Sequence, residues 1–137
     1  MRIVAFFFTL ISSFQIIAQG DPNPERYYSS KEGGQLFIEQ FIHWDKKNSF
    51  LKGGVLFVGS SSIRLWPTSH YFKGNIINRG FGGSHLSDII YYFDHIVEKY
   101  APKTILLYAG DNDIADNKSP DQVLDDFIDF SNLVNDK

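Results

Sequence analysis

Three short segments carry residue types suited to acyl transfer. Gly59-Ser60-Ser61-Ser62 offers hydroxyls, Gly80-Phe81-Gly82-Gly83-Ser84 offers uncrowded main-chain N–H groups, and Gly110-Asp111-Asn112-Asp113 offers a neutral carboxamide between carboxylates. A serine that attacks a carbonyl needs donors around the oxyanion it creates, and a glycine amide with an asparagine amide supplies them without a competing charge. It also needs a base. No Asp-x-x-His occurs in the sequence, and the imidazoles present are His43, His70, His85 and His95. His43, His70 and His95 fall on helical stretches away from the three segments. His85 is nearest the glycine turn, with no Asp placed to orient it.

Each segment also has an ordinary reading: Ser60 to Ser62 as a helix N-cap, Gly82-Gly83 as a tight turn, Asn112 as a left-handed loop residue and Asp113 as a surface cap. Two better-known patterns fail. Gly59-Ser60-Ser61-Ser62-Ile63 lacks the second glycine of a G-x-S-x-G elbow, and Gly80-Phe81-Gly82-Gly83-Ser84-His85 has His85 where a dinucleotide fingerprint needs its third glycine.

The elements that must position these segments alternate in type. Leu36, Phe37, Phe41, Ile42 and Trp44 recur at helical spacing, with Lys46 and Lys47 at the carboxyl end. Val55 to Val58 is a wholly apolar run, the pattern of a strand covered on both faces. A helix is expected from Ser62 to about Tyr71, then a weaker strand at Ile76-Ile77. Ser84 or Ser87 can cap a helix with Leu86, Ile89, Ile90, Phe93, Ile96 and Val97 on one stripe, ended by Pro102. Thr104 to Ala109 reads as the third strand. Ser119-Pro120-Asp121-Gln122 supplies an N-cap, a first-turn proline and a capping-box Gln, ahead of a buried stripe of Val123, Phe127, Phe130 and Val134. Alternation of this kind implies an α/β fold: a parallel sheet with helices on both faces, with all three segments at the carboxyl ends of strands, where ligands collect.

With 137 residues, 43% hydrophobic and 21% charged, the chain has the composition of one globular domain. The formal net charge is −3 with no block of either sign, so nucleic acid is not an expected partner. Arg2, the apolar Ile3 to Ile11, then Ser12-Ser13 and Ala18-Gln19-Gly20 have the three zones of a secretory leader over residues 1–20, with cleavage after Ala18 or Gly20. The apolar zone is too short to span a bilayer, so a secreted or periplasmic protein without stable membrane insertion is expected. Residues 21–34, with prolines and a Gly-Gly pair, read as an exposed lead-in. There is no cysteine, which excludes disulfides, a thiolate nucleophile and a lipobox anchor.

Taken together, these segments resemble the SGNH hydrolases, the GDSL esterases and lipases, and within them the bacterial branch similar to platelet-activating-factor acetylhydrolase. The resemblance runs from about Phe37 to Phe130 and includes Asp45, Gly59-Ser60-Ser61-Ser62-Ile63-Arg64-Leu65-Trp66, Asn78-Arg79-Gly80-Phe81-Gly82-Gly83-Ser84 and Gly110-Asp111-Asn112-Asp113-Ile114-Ala115. It implies a flavodoxin-like three-layer α/β/α sandwich, incomplete here with about three strands. It implies Ser61 as nucleophile, and an oxyanion hole from the Ser61 and Gly83 main-chain N–H groups and the Asn112 side chain. Ser60 and Asp113 would be supporting residues, Ser60 standing where many relatives have an Asp. No metal or organic cofactor is implied; the partner is a small-molecule ester, with acetyl esters of carbohydrate foremost.

The family places its catalytic Asp and His together near the C-terminus. Residues 35–137 are therefore expected to be the N-terminal part of such a domain, truncated before the Asp-x-x-His block and inactive alone, from a parent that is an esterase. A non-catalytic module gripping a carboxylate or sugar oxygen with the same donors is the alternative. A flavodoxin-like nucleotide binder is disfavoured because the first loop lacks a phosphate-cradling glycine pattern.

Overall fold

The computed structural model describes residues 20–28 and 37–137. The expected leader, apart from Gly20, lies outside the described residues. The sheet has three strands, β1 (Val55–Gly59), β2 (Ile76–Gly80) and β3 (Thr104–Tyr108), all parallel in the order β2-β1-β3. In register, Gly59 stands opposite Gly80 on one side and Tyr108 on the other, so all three strands end level. This is a parallel α/β sheet flanked by helices, as the alternation of elements predicts.

Side chains alternate across β1 and sort the helices into two layers. Leu56 and Val58, almost fully buried, join a cluster with Phe37, Ile38 and Phe41 of α1 (Phe37–Lys47), Ile89 of α4 (Leu86–Tyr91), Phe93 and Ile96 of α5 (Phe93–Ile96) and Phe130 of α7 (Pro120–Asn135). Phe57 faces the other way, against the rings of Trp66 and Phe72 at 5.4 and 5.2 Å. Those rings flank α2 (Ser61–Leu65) and α3 (Thr68–Tyr71), and α6 (Asp111–Ala115) follows β3.

Several elements differ from expectation for identifiable reasons. The helix expected from Ser62 to Tyr71 is two short ones, because Pro67 forces Trp66 into an extended conformation (φ −74°, ψ 117°). The stripe from Leu86 to Val97 is buried except for the half-buried Ile90, but the backbone breaks at Tyr92 (φ −96°, ψ 15°), whose hydroxyl donates to the Pro24 carbonyl at 2.9 Å. Its cap position is His85, not Ser84 or Ser87. On α7, Phe130 meets Phe93 edge-on at 5.9 Å, whereas Phe127 is 49% exposed with Leu124 and Ile128 beside it. That face turns away from α4, so the expected buried stripe is narrower than its spacing suggests. The capping box at Ser119 forms as read, Gln122 N–H to Ser119 Oγ at 3.2 Å and Ser119 N–H to Gln122 Oε1 at 2.9 Å.

The lead-in is exposed at Asp21, Asn23, Glu25 and Tyr28, but Pro24–Tyr27 forms a 3₁₀ turn whose Tyr27 is buried. A second network ties α1 to β2: Asp45 accepts from Arg79 at 2.7 Å, from the Tyr100 hydroxyl at 2.5 Å and from Lys99.

Candidate active site

Ser61 opens α2 directly beyond β1. Gly59 makes this possible with φ +146°, where a Cβ would overlap the Tyr108 carbonyl oxygen, and it lets the chain turn up between its neighbours. Ser60 N–H continues the ladder to the Tyr108 oxygen at 2.9 Å, and Phe81 N–H donates to the Gly59 oxygen at 2.9 Å. The two serines then diverge. Ser60 is fully buried with Oγ 3.3 Å from Asp111 Oδ1, while Ser61 is half-buried and has no hydrogen-bond partner for Oγ or main-chain N–H among the described residues. Helix α2 has only five residues, so what it offers is local N–H groups and not a large dipole.

Gly83 lies in the turn after β2 with φ +75°, is exposed, and its N–H has no acceptor among the described residues. Asn112, in the first turn of α6, donates from Nδ2 to the Ser84 carbonyl oxygen at 3.0 Å. Two hydrogen bonds thus connect neighbours of the three named residues, Ser60 to Asp111 and Asn112 to Ser84. Ser61, Gly83 and Asn112 are gathered at one sheet edge although 51 residues of chain separate Ser60 from Asp111.

Asp113 is fully buried, unlike the surface cap considered for it. Both its carboxylate oxygens lie 3.2 Å from Leu86 N–H, so it caps α4 across the gap between loops. Lys118 Nζ stands 3.8 Å away and is itself paired with Asp21 and Asp126. His85 does have carboxylate partners, contrary to expectation: Asp116 lies 2.9 Å from Nε2, and Asp113 lies 3.7 Å from Nδ1. Asp113 lies on α6 and Asp116 directly follows it, and nothing in the local sequence places that helix against His85. Asp116 thus occupies Nε2, and Nδ1 is buried without a hydrogen bond among the described residues. His43, His70 and His95 are exposed.

Residues missed by the sequence reading are Asp111, Asp88 and Arg26. Asp88 accepts His85 N–H at 2.8 Å and both Arg26 guanidinium nitrogens at 2.8 and 2.5 Å. Burial pushes its carboxyl above the ordinary range despite these donors. Only an Asp three residues past a cap position hinted at it. A groove of about 330 Å³ is lined by Phe37, Trp44, Arg64, Trp66 and Gly80, without Ser61, Gly83 or Asn112. The larger groove, about 380 Å³, lies at the amino end of β3 among Val97, Pro102, Ile105 and Val134, away from these loops. Among the described residues no three His, Asp or Glu side chains are arranged to hold a metal ion, and no helix is long and apolar enough to cross a membrane.

The arrangement belongs to the flavodoxin-like α/β/α class. It is shared with a solved Streptococcus pneumoniae protein bearing the provisional name platelet activating factor, at 23% identity and a TM-score of 0.57. The match covers 66% of this chain and 43% of that one, so this chain spans less than half of its neighbour's length. Likeness at this identity speaks for the fold. Neither a protein-family model nor a curated protein sequence matches the chain.

Proposed function

We propose that these residues form the nucleophile and oxyanion side of an SGNH-type serine ester hydrolase acting on small O-acyl esters, acetyl esters of carbohydrate foremost, in an exported protein. One observation carries the reading: a serine hydroxyl and a glycine N–H without partners among the described residues, and an asparagine carboxamide, share the carboxyl edge of one parallel sheet. The neighbour's name shares the words platelet activating factor with the branch that the motifs resemble.

In this mechanism Ser61 Oγ attacks the ester carbonyl as its proton passes to a base. The oxyanion is held by the N–H groups of Ser61 and Gly83 and by the second N–H of Asn112, the first being occupied by Ser84. The C–O bond to the alcohol breaks, the alcohol leaves with a proton, and water then clears the acyl-serine. No base is assigned among the residues described.

Exogenous imidazole can replace a missing histidine, and this gives the test. The chain is incubated with p-nitrophenyl acetate and imidazole, and acetylation is mapped by peptide mass spectrometry. Imidazole-dependent acetyl transfer to Ser61 is expected, lost in Ser61→Ala and slowed about 10²–10³-fold in Asn112→Ala. Acetylation spread over lysines and tyrosines, with Ser61 unlabelled, would overturn the reading. A ligand-binding signal that survives Ser61→Ala without any acetyl transfer would favour the binding-module alternative.

A further inference from the structure

The segment Asp21–Tyr28 precedes every element of the sheet, yet it holds the glycine turn from both sides. Arg26 makes a two-pronged ion pair with Asp88, whose side chain is 1% exposed, and Asp88 in turn accepts the N–H of His85, two residues beyond Gly83. Tyr27 packs edge-on against Phe81, two residues before Gly83, at 5.0 Å and 77°. A Cβ on residue 83 would lie 3.2 Å from the Tyr27 hydroxyl oxygen, so the phenol borders the glycine itself. The guanidinium of Arg26 sits 4.3 Å over the Tyr27 ring and joins the two contacts into one unit. The segment is anchored further by Tyr92 to the Pro24 carbonyl and by Lys118 to Asp21.

The Gly83 N–H, at positive φ, has no acceptor among the described residues and so no bond there to fix its direction. A donor aimed at a transition state must be held to a fraction of an ångström, since displacement by about 1 Å can cost about 10²-fold in rate. We propose that Arg26 and Tyr27 are positioning residues that fix the Gly83 N–H in its donor orientation. The N-terminal segment is then part of the acyl-transfer site and not a tether. The chemical role rests on the hydrolase reading of Gly83; the brace itself does not.

Two measurements on the full chain separate these. ¹⁵N relaxation reports the rigidity of the Gly83 amide, and imidazole-dependent acetylation reports Ser61. In the unaltered chain Gly83 is expected to be as rigid as Val58. In Arg26→Gln its order parameter should fall from roughly 0.85 to below about 0.6 while Val58 and Leu107 keep theirs, and Ser61 acetylation should slow about 10-fold or more. Arg26→Lys should recover part of both, because a single ammonium can meet Asp88 but cannot match its two oxygens. Tyr27→Phe, which keeps the ring contact with Phe81, should leave Gly83 rigid.

Should Arg26→Gln not fold, Arg26→Lys carries the comparison, with an intermediate loss expected. Gly83 equally rigid and Ser61 equally reactive in the Arg26 variants would overturn the proposal while leaving the hydrolase reading intact. An unaltered chain whose Ser61 takes no acetyl group would sink the hydrolase reading instead, and the relaxation data would still judge the brace.

Discussion

Asn112 gives one carboxamide N–H to the Ser84 carbonyl oxygen at 3.0 Å and keeps the other unpaired among the described residues. That bond locks the turn after β2 to the helix after β3, and it orients the side chain with a donor to spare. A carboxylate at this position would have no N–H to give to either partner.

The adjacent serines should separate cleanly. Ser61→Ala is expected to change stability by less than about 0.5 kcal/mol, because its hydroxyl has no partner among the described residues, and to abolish the imidazole-dependent acetylation. Ser60→Ala removes a buried hydroxyl facing Asp111 and should cost about 1 kcal/mol in urea unfolding while Ser61 still reacts. The opposite pattern would move the nucleophile to Ser60.

Asp113 should matter more to folding than any other residue of its loop. Asp113→Ala strips Leu86 N–H of its acceptor and leaves Lys118 and His85 short of a buried carboxylate, at an expected cost of about 3 kcal/mol. Asp113→Asn keeps one acceptor oxygen and should cost less. Urea midpoints at unchanged slope measure both.

Asp45 supplies an acid-sensitive component of stability. Burial pushes its carboxyl up, but Lys99, Tyr100 and Arg79 together outweigh this and hold it below the ordinary range. A carboxyl depressed in the folded state stabilises above its unfolded value, about 3.9, and that contribution is lost as pH falls through the folded value. Asp45→Asn should lower stability by about 2 kcal/mol at pH 7, through its lost hydrogen bonds, and flatten the loss below about pH 4. An unchanged acid profile in Asp45→Asn would show that the network does not act this way. Burial and Asp45 raise the Tyr100 phenol, so it remains a donor to Asp45 throughout this window.

Ser119 closes the capping box of α7, so Ser119→Ala should cost about 1 kcal/mol. Because α7 packs on α5 through Phe130 and Phe93, the loss should appear in the global unfolding midpoint and not only as fraying.

What the sequence alone determined was local. Apolar runs set the three strands, Ser119-Pro120-Asp121-Gln122 set the start of α7, and Gly82-Gly83 marked a tight turn. Those signals lie within a few residues of what they specify, and the parallel order of the sheet follows from their alternation. Tertiary structure decided the rest. Which of two neighbouring serines is buried, which carboxylate caps α4, that His85 meets Asp113 and Asp116, and that Arg26 reaches Asp88 all depend on how elements far apart in the chain stack. Burial and ion pairing are properties of the space between elements, and no spacing along the chain encodes that space.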